Sequence, residues 1–218
     1  MKPLDRLSRS ADKDGKQDKS AIKHSKAYHR FFEGYSEYSV MNANGKGTSI
    51  QRIYTGNYYR QDLTRGRRIL LRAAYLWLFL GALYLFVSSA IQPLASNSTW
   101  FVVLPQAVSI PLLFWMVIAF ITYMPAGRDM TIDDYRSSSL ALKKASLFSA
   151  ISLGATALAT LIFMALNPSD QPLAELLCAA KFLAGGLFVF SIDQVERRLH
   201  YLVIPSPNKP PEDAYEIK

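Results

Sequence analysis

The chain has a single cysteine, Cys178, and therefore cannot hold an intrachain disulfide. Its three histidines, His24, His29 and His200, show no metal-ligand spacing with Cys, Asp or Glu. A Gly-x-Ser-x-Gly nucleophile elbow is missing. So is a nucleotide-binding loop: Gly45-Lys46-Gly47-Thr48 has a Gly after the Lys, where a phosphate loop needs Ser or Thr. No zinc pattern, RNA-binding signature or basic recognition helix accompanies the net charge of +8, so nucleic acid is not the expected partner. The first 30 residues hold no apolar stretch of the length a signal peptide needs. Charge is missing in a telling place as well: none falls within 73–91, 100–123 or 145–166.

What fills those stretches is hydrocarbon. A bilayer crossing takes about 20 mostly apolar residues. Four segments qualify: about 73–91, 100–123, 145–166 and 172–192. They lack the polar face of a soluble amphipathic helix, and the chain has too little polar sequence to cover four such rods. The expected fold is an all-α integral membrane protein, a bundle of four transmembrane helices. The first span is expected to serve as the first insertion signal.

Basic residues set the orientation. Residues 1–72 carry 16 of the 25 Lys and Arg. The next loop, 92–99, has none; 124–144 has Arg128, Arg136, Lys143 and Lys144; 167–171 has none; and the tail after the fourth span has Arg197, Arg198, Lys209 and Lys218. This alternation predicts both termini in the cytoplasm and a place in the cell membrane.

The cytoplasmic parts divide by composition. Residues 1–27 form a basic tail too polar to fold alone. Lys16, Lys19, Lys23, Lys26 and Arg30 would make one cationic stripe on a helix, suited to the anionic inner leaflet. Residues 28–68 are aromatic-rich, and Asn44-Gly45 between β-prone runs predicts a small β-hairpin. A turn there sets Tyr35 opposite Tyr54 and Glu37 opposite Arg52. A hairpin of two strands is marginal alone, so it should dock on something. Tyr35, Tyr38, Tyr54, Tyr58 and Tyr59 are the candidate partner surface, toward a membrane protein or a second copy of the chain. Residues 69–203 form the four-helix domain, and 204–218 a Pro-rich tail.

Polar groups inside the spans are the remaining signal. Lys181 lies in the middle of the fourth segment, where a cation costs about 2.5–3.5 kcal/mol to insert. Glu175, six residues earlier and about 120° away around the helix, does not share its face and should reach the outer headgroups. Ser149, Ser152, Thr156 and Thr160 make a hydroxyl stripe on the third span, and Gln106 lies in the second between Pro105 and Pro111. Lys181, Glu175, Ser152, Thr156 and Gln106 therefore form a candidate intramembrane polar site; simple helix packing is the plainer alternative. Thr131-Ile132-Asp133-Asp134 predicts a capped helix start before the third span. Asp193 and Arg197, four apart, should carry the last helix on to about Tyr201.

No catalytic residue, cofactor or metal is expected. The leading function is a non-enzymatic interaction or accessory component of a membrane assembly, acting through the N-terminal segment. The alternative is a small transporter or channel-like oligomer with a polar site around Lys181.

Overall fold

The computed structural model describes residues 33–41, 48–168, 170–208 and 215–216. Elements run in the order β1 (Tyr35–Met41), β2 (Thr48–Tyr54), β3 (Tyr58–Gln61), α1 (Arg65–Ala90), α2 (Trp100–Tyr123), β4 (Asp129–Met130), α3 (Ile132–Leu166), α4 (Pro172–Arg198), β5 (Tyr201–Ile204) and β6 (Tyr215–Glu216). They fall into two compact units, Met1–Thr55 with Asn208–Lys218, and Gly56–Pro207.

The first unit contains a three-stranded sheet in the order β2-β1-β6. β1 and β2 are antiparallel, with Tyr35 opposite Tyr54 and Glu37 opposite Arg52. The Tyr35 and Tyr54 rings meet edge to face at 5.1 Å, and Arg52 Nε donates to Glu37 at 2.8 Å. β6 pairs with the other side of β1, at Tyr38 and Ser39. Gly34 has φ 83°, a left-handed conformation open to glycine, and its carbonyl accepts from Thr55 N at 2.8 Å. The Asn44-Gly45 turn and the basic stripe of the tail lie outside the described residues.

The second unit holds four helices long and apolar enough to cross a membrane. The chain is thus a multi-pass membrane protein by the length and composition of its helices. α1 packs on α4, α4 on α3, and α3 on α2. Phe79 of α1 and Phe120 of α2, with ring centroids 5.1 Å apart, complete the circuit. The core is apolar, with Phe182, Met116, Leu142, Leu153 and Val189 fully or nearly fully buried. The outside is apolar too: Trp77 of α1 is 76% exposed, and Leu80, Tyr84, Phe114, Ile121 and Leu187 are also exposed. Large apolar groups on both sides of every helix suit lipid as the outer solvent.

Glycine sets the closest approach. A Cβ at Gly185 would lie 3.4 Å from the Ala82 carbonyl of α1, and one at Gly186 3.4 Å from the Ala150 carbonyl of α3. Successive residues of α4 thus admit a neighbouring backbone on either side.

α3 starts as the sequence suggests. Thr131 Oγ1 accepts from Asp134 N at 3.2 Å while the Asp134 carboxylate accepts from Thr131 N, a reciprocal capping box. The helix then passes through a π-helical stretch, Arg136–Leu140. The end of α4 departs from expectation. The helix stops at Arg198, and Tyr201–Ile204 is β5 rather than a further helical turn. The run Tyr-Leu-Val-Ile before Pro205 favours an extended chain, and β3 gives it a partner. β3 is the centre of a second sheet, β4-β3-β5, that the sequence reading did not anticipate. Here Tyr58 and Tyr59 pair with Ile204 and Val203.

Candidate functional site

The structure distributes the sequence-selected polar residues rather than gathering them. Ser152 Oγ meets Ser109 Oγ at 2.8 Å and donates to the Pro105 carbonyl at 3.2 Å, joining α3 to α2. Thr156 donates within its own helix to the Ser152 carbonyl at 3.0 Å. Gln106 Nε2 donates to Asn97 Oδ1 at 2.8 Å, which ties α2 to the preceding loop. Glu175 does not reach out to headgroups: it is buried and accepts from Ser96 N at 3.2 Å and from the Ser96 hydroxyl. A buried carboxylate takes internal donors when a loop brings them within reach. Lys181 is half-buried and lines a shallow groove of about 290 Å³ with Gln92, Leu94, Gln171 and Leu177. Its surroundings are therefore the α1–α2 and α3–α4 connections and the preceding turns of its own helix rather than the hydroxyl stripe.

The aromatic candidates also separate. Tyr38 and Tyr54 are buried in the first unit, with Tyr35 partly exposed beside them. In the second unit Tyr58 and Tyr59 are half-buried. Tyr59 stacks on Tyr135 at 4.6 Å with the planes 5° apart.

The most concentrated polar constellation among the described residues is one that sequence reasoning passed over. Glu196, in the last turn of α4, is fully buried. Oε2 accepts from the Tyr75 hydroxyl of α1 at 3.1 Å and from the Tyr123 hydroxyl of α2 at 3.2 Å. Oε1 accepts from Ser139 of α3 at 2.5 Å and from Tyr201 of β5 at 2.6 Å. Each other helix, and the second sheet, thus sends one hydroxyl to a single carboxylate. A carboxylate offers about four acceptor positions, and all are used. A helix C-terminus is electrostatically unfavourable for an anion, so these donors also offset the helix dipole.

A second layer supports the first. Gln61 Nε2 of β3 lies 3.3 Å from both the Tyr123 and the Tyr201 hydroxyl oxygens. The Arg72 guanidinium lies 5.7 Å from the Tyr123 ring centre and donates to the Ala126 carbonyl at 2.6 Å. Lys143 Nζ lies 5.9 Å from the Tyr201 ring centre. Burial, and then the adjacent Glu196 charge, push the Tyr201 hydroxyl well above the usual tyrosine range. Nearby, the Arg60 side chain grips Asp129 through two contacts, 2.5 and 3.0 Å, joining β3 to β4. That hydrogen-bonded pairing holds the Asp129 carboxyl below its ordinary value and raises Arg60.

Chemically, a carboxylate with every acceptor position occupied by a hydroxyl is a clamp. It fixes three helix segments and a strand to the end of the fourth helix. Among the described residues no group of three or more His, Cys, Asp or Glu is arranged to hold a metal ion. The sequence did contain a trace of this site: acids at 193 and 196, three apart at the end of an apolar helix, with Tyr75 and Tyr123 placed near the ends of other spans. Nothing local indicated that those hydroxyls converge. No protein-family model, curated protein or solved structure matches this chain.

Proposed function

We propose that this chain is a non-enzymatic interaction or accessory component of a membrane assembly. Its four-helix unit is the anchor, and its N-terminal segment, 33–54, is the part that meets a partner. Both termini lie in the cytoplasm, as the Lys and Arg distribution favours, and the membrane is the cell membrane. The observation that carries this reading is the β2-β1-β6 sheet, which draws strands from both ends of the chain. It is too small for a core of its own, and Ile50 on the outer strand β2 is 50% exposed. Support also comes from the spans, where Glu175, Gln106, Ser152 and Glu196 bond to other parts of the bundle, as in a static anchor.

The test compares proteins co-purifying with the full chain, with a chain lacking 33–54, and with Ile50→Arg. Selective loss of the same partner from both altered chains is expected. An unchanged set would refute the reading.

A second reading, a small transporter or channel-like oligomer, draws on the groove beside Lys181. Lys181→Leu separates the two. Loss of ion or solute flux in vesicles, with normal insertion, would favour transport; retained partner binding with no change in flux favours the anchor.

A further inference from the structure

Strand β5 is an open edge of the second sheet. The order is β4-β3-β5, and among the described residues β5 pairs with β3 alone. Its residues, Tyr201, Leu202, Val203 and Ile204, carry no charge. Exposed edges are usually guarded by a charge, a bulge or a proline against pairing with another chain. Leu202 is 50% and Val203 57% exposed.

The ladder shows which backbone groups of β5 are spare. Asp62 N donates to the His200 carbonyl at 3.2 Å, while Gln61 N donates to the Arg128 carbonyl on the other side of β3. Such pairs alternate along an antiparallel ladder. Leu202 and Ile204 therefore direct their N–H and C=O groups at Arg60 and Tyr58. Tyr201 and Val203 direct theirs outward, where no strand among the described residues meets them. The next outward position is Pro205, which has no N–H.

This edge is complementary to itself. When a second β5 runs antiparallel with Leu202 opposite its own copy, Tyr201 of each chain faces Val203 of the other. Both pairs then exchange both of their hydrogen bonds, and every outward group of β5 is satisfied. Neighbouring registers do worse. Centring on Val203 sets Tyr201 against Pro205, and centring on Tyr201 sets Val203 against Leu199, which lies outside the strand.

The membrane adds an independent condition. Two copies must cross it in the same sense, so their two-fold axis must follow the helix bundle. Gln61 and Tyr201 share one face of the sheet and bond to Tyr123 and Glu196, at the ends of α2 and α4. Tyr59, on the same face, stacks on Tyr135 near the start of α3. That face therefore covers one end of the bundle, and the normal to the sheet runs along the bundle. The two-fold axis between antiparallel neighbouring strands is this same normal. Leu202 lies on the opposite face by alternation, where it meets its copy. We infer that β5 is the contact between two copies of this chain, paired antiparallel about Leu202 so that their sheets become one.

The test places single cysteines on the full chain in phosphatidylcholine liposomes, oxidised in air with copper phenanthroline. At Leu202→Cys the two Cα atoms lie about 4.5 Å apart, within disulfide reach. At Val203→Cys the copies sit diagonally, at least about 7–8 Å apart and beyond it. Disulfide dimer should form at least about fivefold faster at 202, although 203 is the more exposed position. The parent chain is the blank, since Cys178 is buried. A second measurement uses Val203→Pro and sedimentation in detergent. Proline at 203 removes an outward N–H and leaves the β3 pairing intact, so the helical and sheet spectrum should match the parent. Its dimer should dissociate at least about tenfold more readily, because two interchain hydrogen bonds are lost. Equal oxidation rates at 202 and 203 would overturn the contact. So would a parent chain that sediments as a monomer at every concentration, or a Val203→Pro dimer as tight as the parent. Release of a different protein by Val203→Pro from a monomeric chain would assign the edge to a foreign strand and overturn the self-pairing.

Discussion

Glu196→Gln is the sharpest test of how the bundle is held together. The substitution preserves shape but turns one carboxylate oxygen into an NH2 group. Two of the four hydroxyls that donate to Glu196 then face a nitrogen that cannot accept. A hydrogen bond to a charged group contributes about 1.5–3 kcal/mol, so two lost bonds cost roughly 3–6 kcal/mol. The other two weaken from charged to neutral acceptors, while removal of a buried charge recovers part of the desolvation cost. The net expectation is a loss of about 2–4 kcal/mol, or a melting temperature roughly 5–15 °C lower for a chain of this size. Thermal unfolding in a fixed detergent reads this directly. Tyr201→Phe removes one donor and should cost about 1–2 kcal/mol. Because the two residues touch, the double variant should lose less than the sum of the singles by at least about 0.5 kcal/mol. A Glu196→Gln protein as stable as the parent, or strictly additive losses, would refute the clamp.

Three further predictions concern other parts of the fold. The Tyr201 hydroxyl is held in its neutral form in the folded protein, so its contribution is complete below the ordinary tyrosine range and is lost as the unfolded chain ionises above about pH 10. Melting temperatures between pH 8 and 11 should fall more steeply for the parent than for Tyr201→Phe, and parallel curves would count against this. Glu175→Leu leaves the buried Ser96 N–H and hydroxyl without an acceptor and should cost about 1–3 kcal/mol in the same unfolding measurement. Parental stability would mean that the loop is held by other contacts. Gly186→Leu, which drives a side chain toward Ala150 and Leu153, should destabilise by about 1–3 kcal/mol, whereas Gly154→Ala, with open space at its Cβ, should be neutral or gain up to about 1 kcal/mol. Reversal of that order would contradict the close α3–α4 contact.

The sequence by itself determined the membrane unit. An apolar run of some twenty residues is a property of consecutive side chains, and lipid demands little more than that length and an internally bonded backbone. The start of α3 was equally local, because Thr131 and Asp134 satisfy each other within one turn. The polar sites were not legible in this way. Lys181 drew attention as a charge within an apolar run, yet tertiary packing places it in a groove beside the connections, away from Ser152 and Thr156. Glu175, expected at headgroups, is buried because a loop seventy-nine residues away in sequence supplies its donors. β3 and β5 are four residues each, too short for pattern alone to identify, and their pairing joins Gln61 to Tyr201 across most of the chain. Glu196 depends on five segments at once. Hydrophobic length is written residue after residue, whereas the acceptor of a buried hydroxyl is chosen only when distant segments meet, and that choice belongs to the tertiary structure.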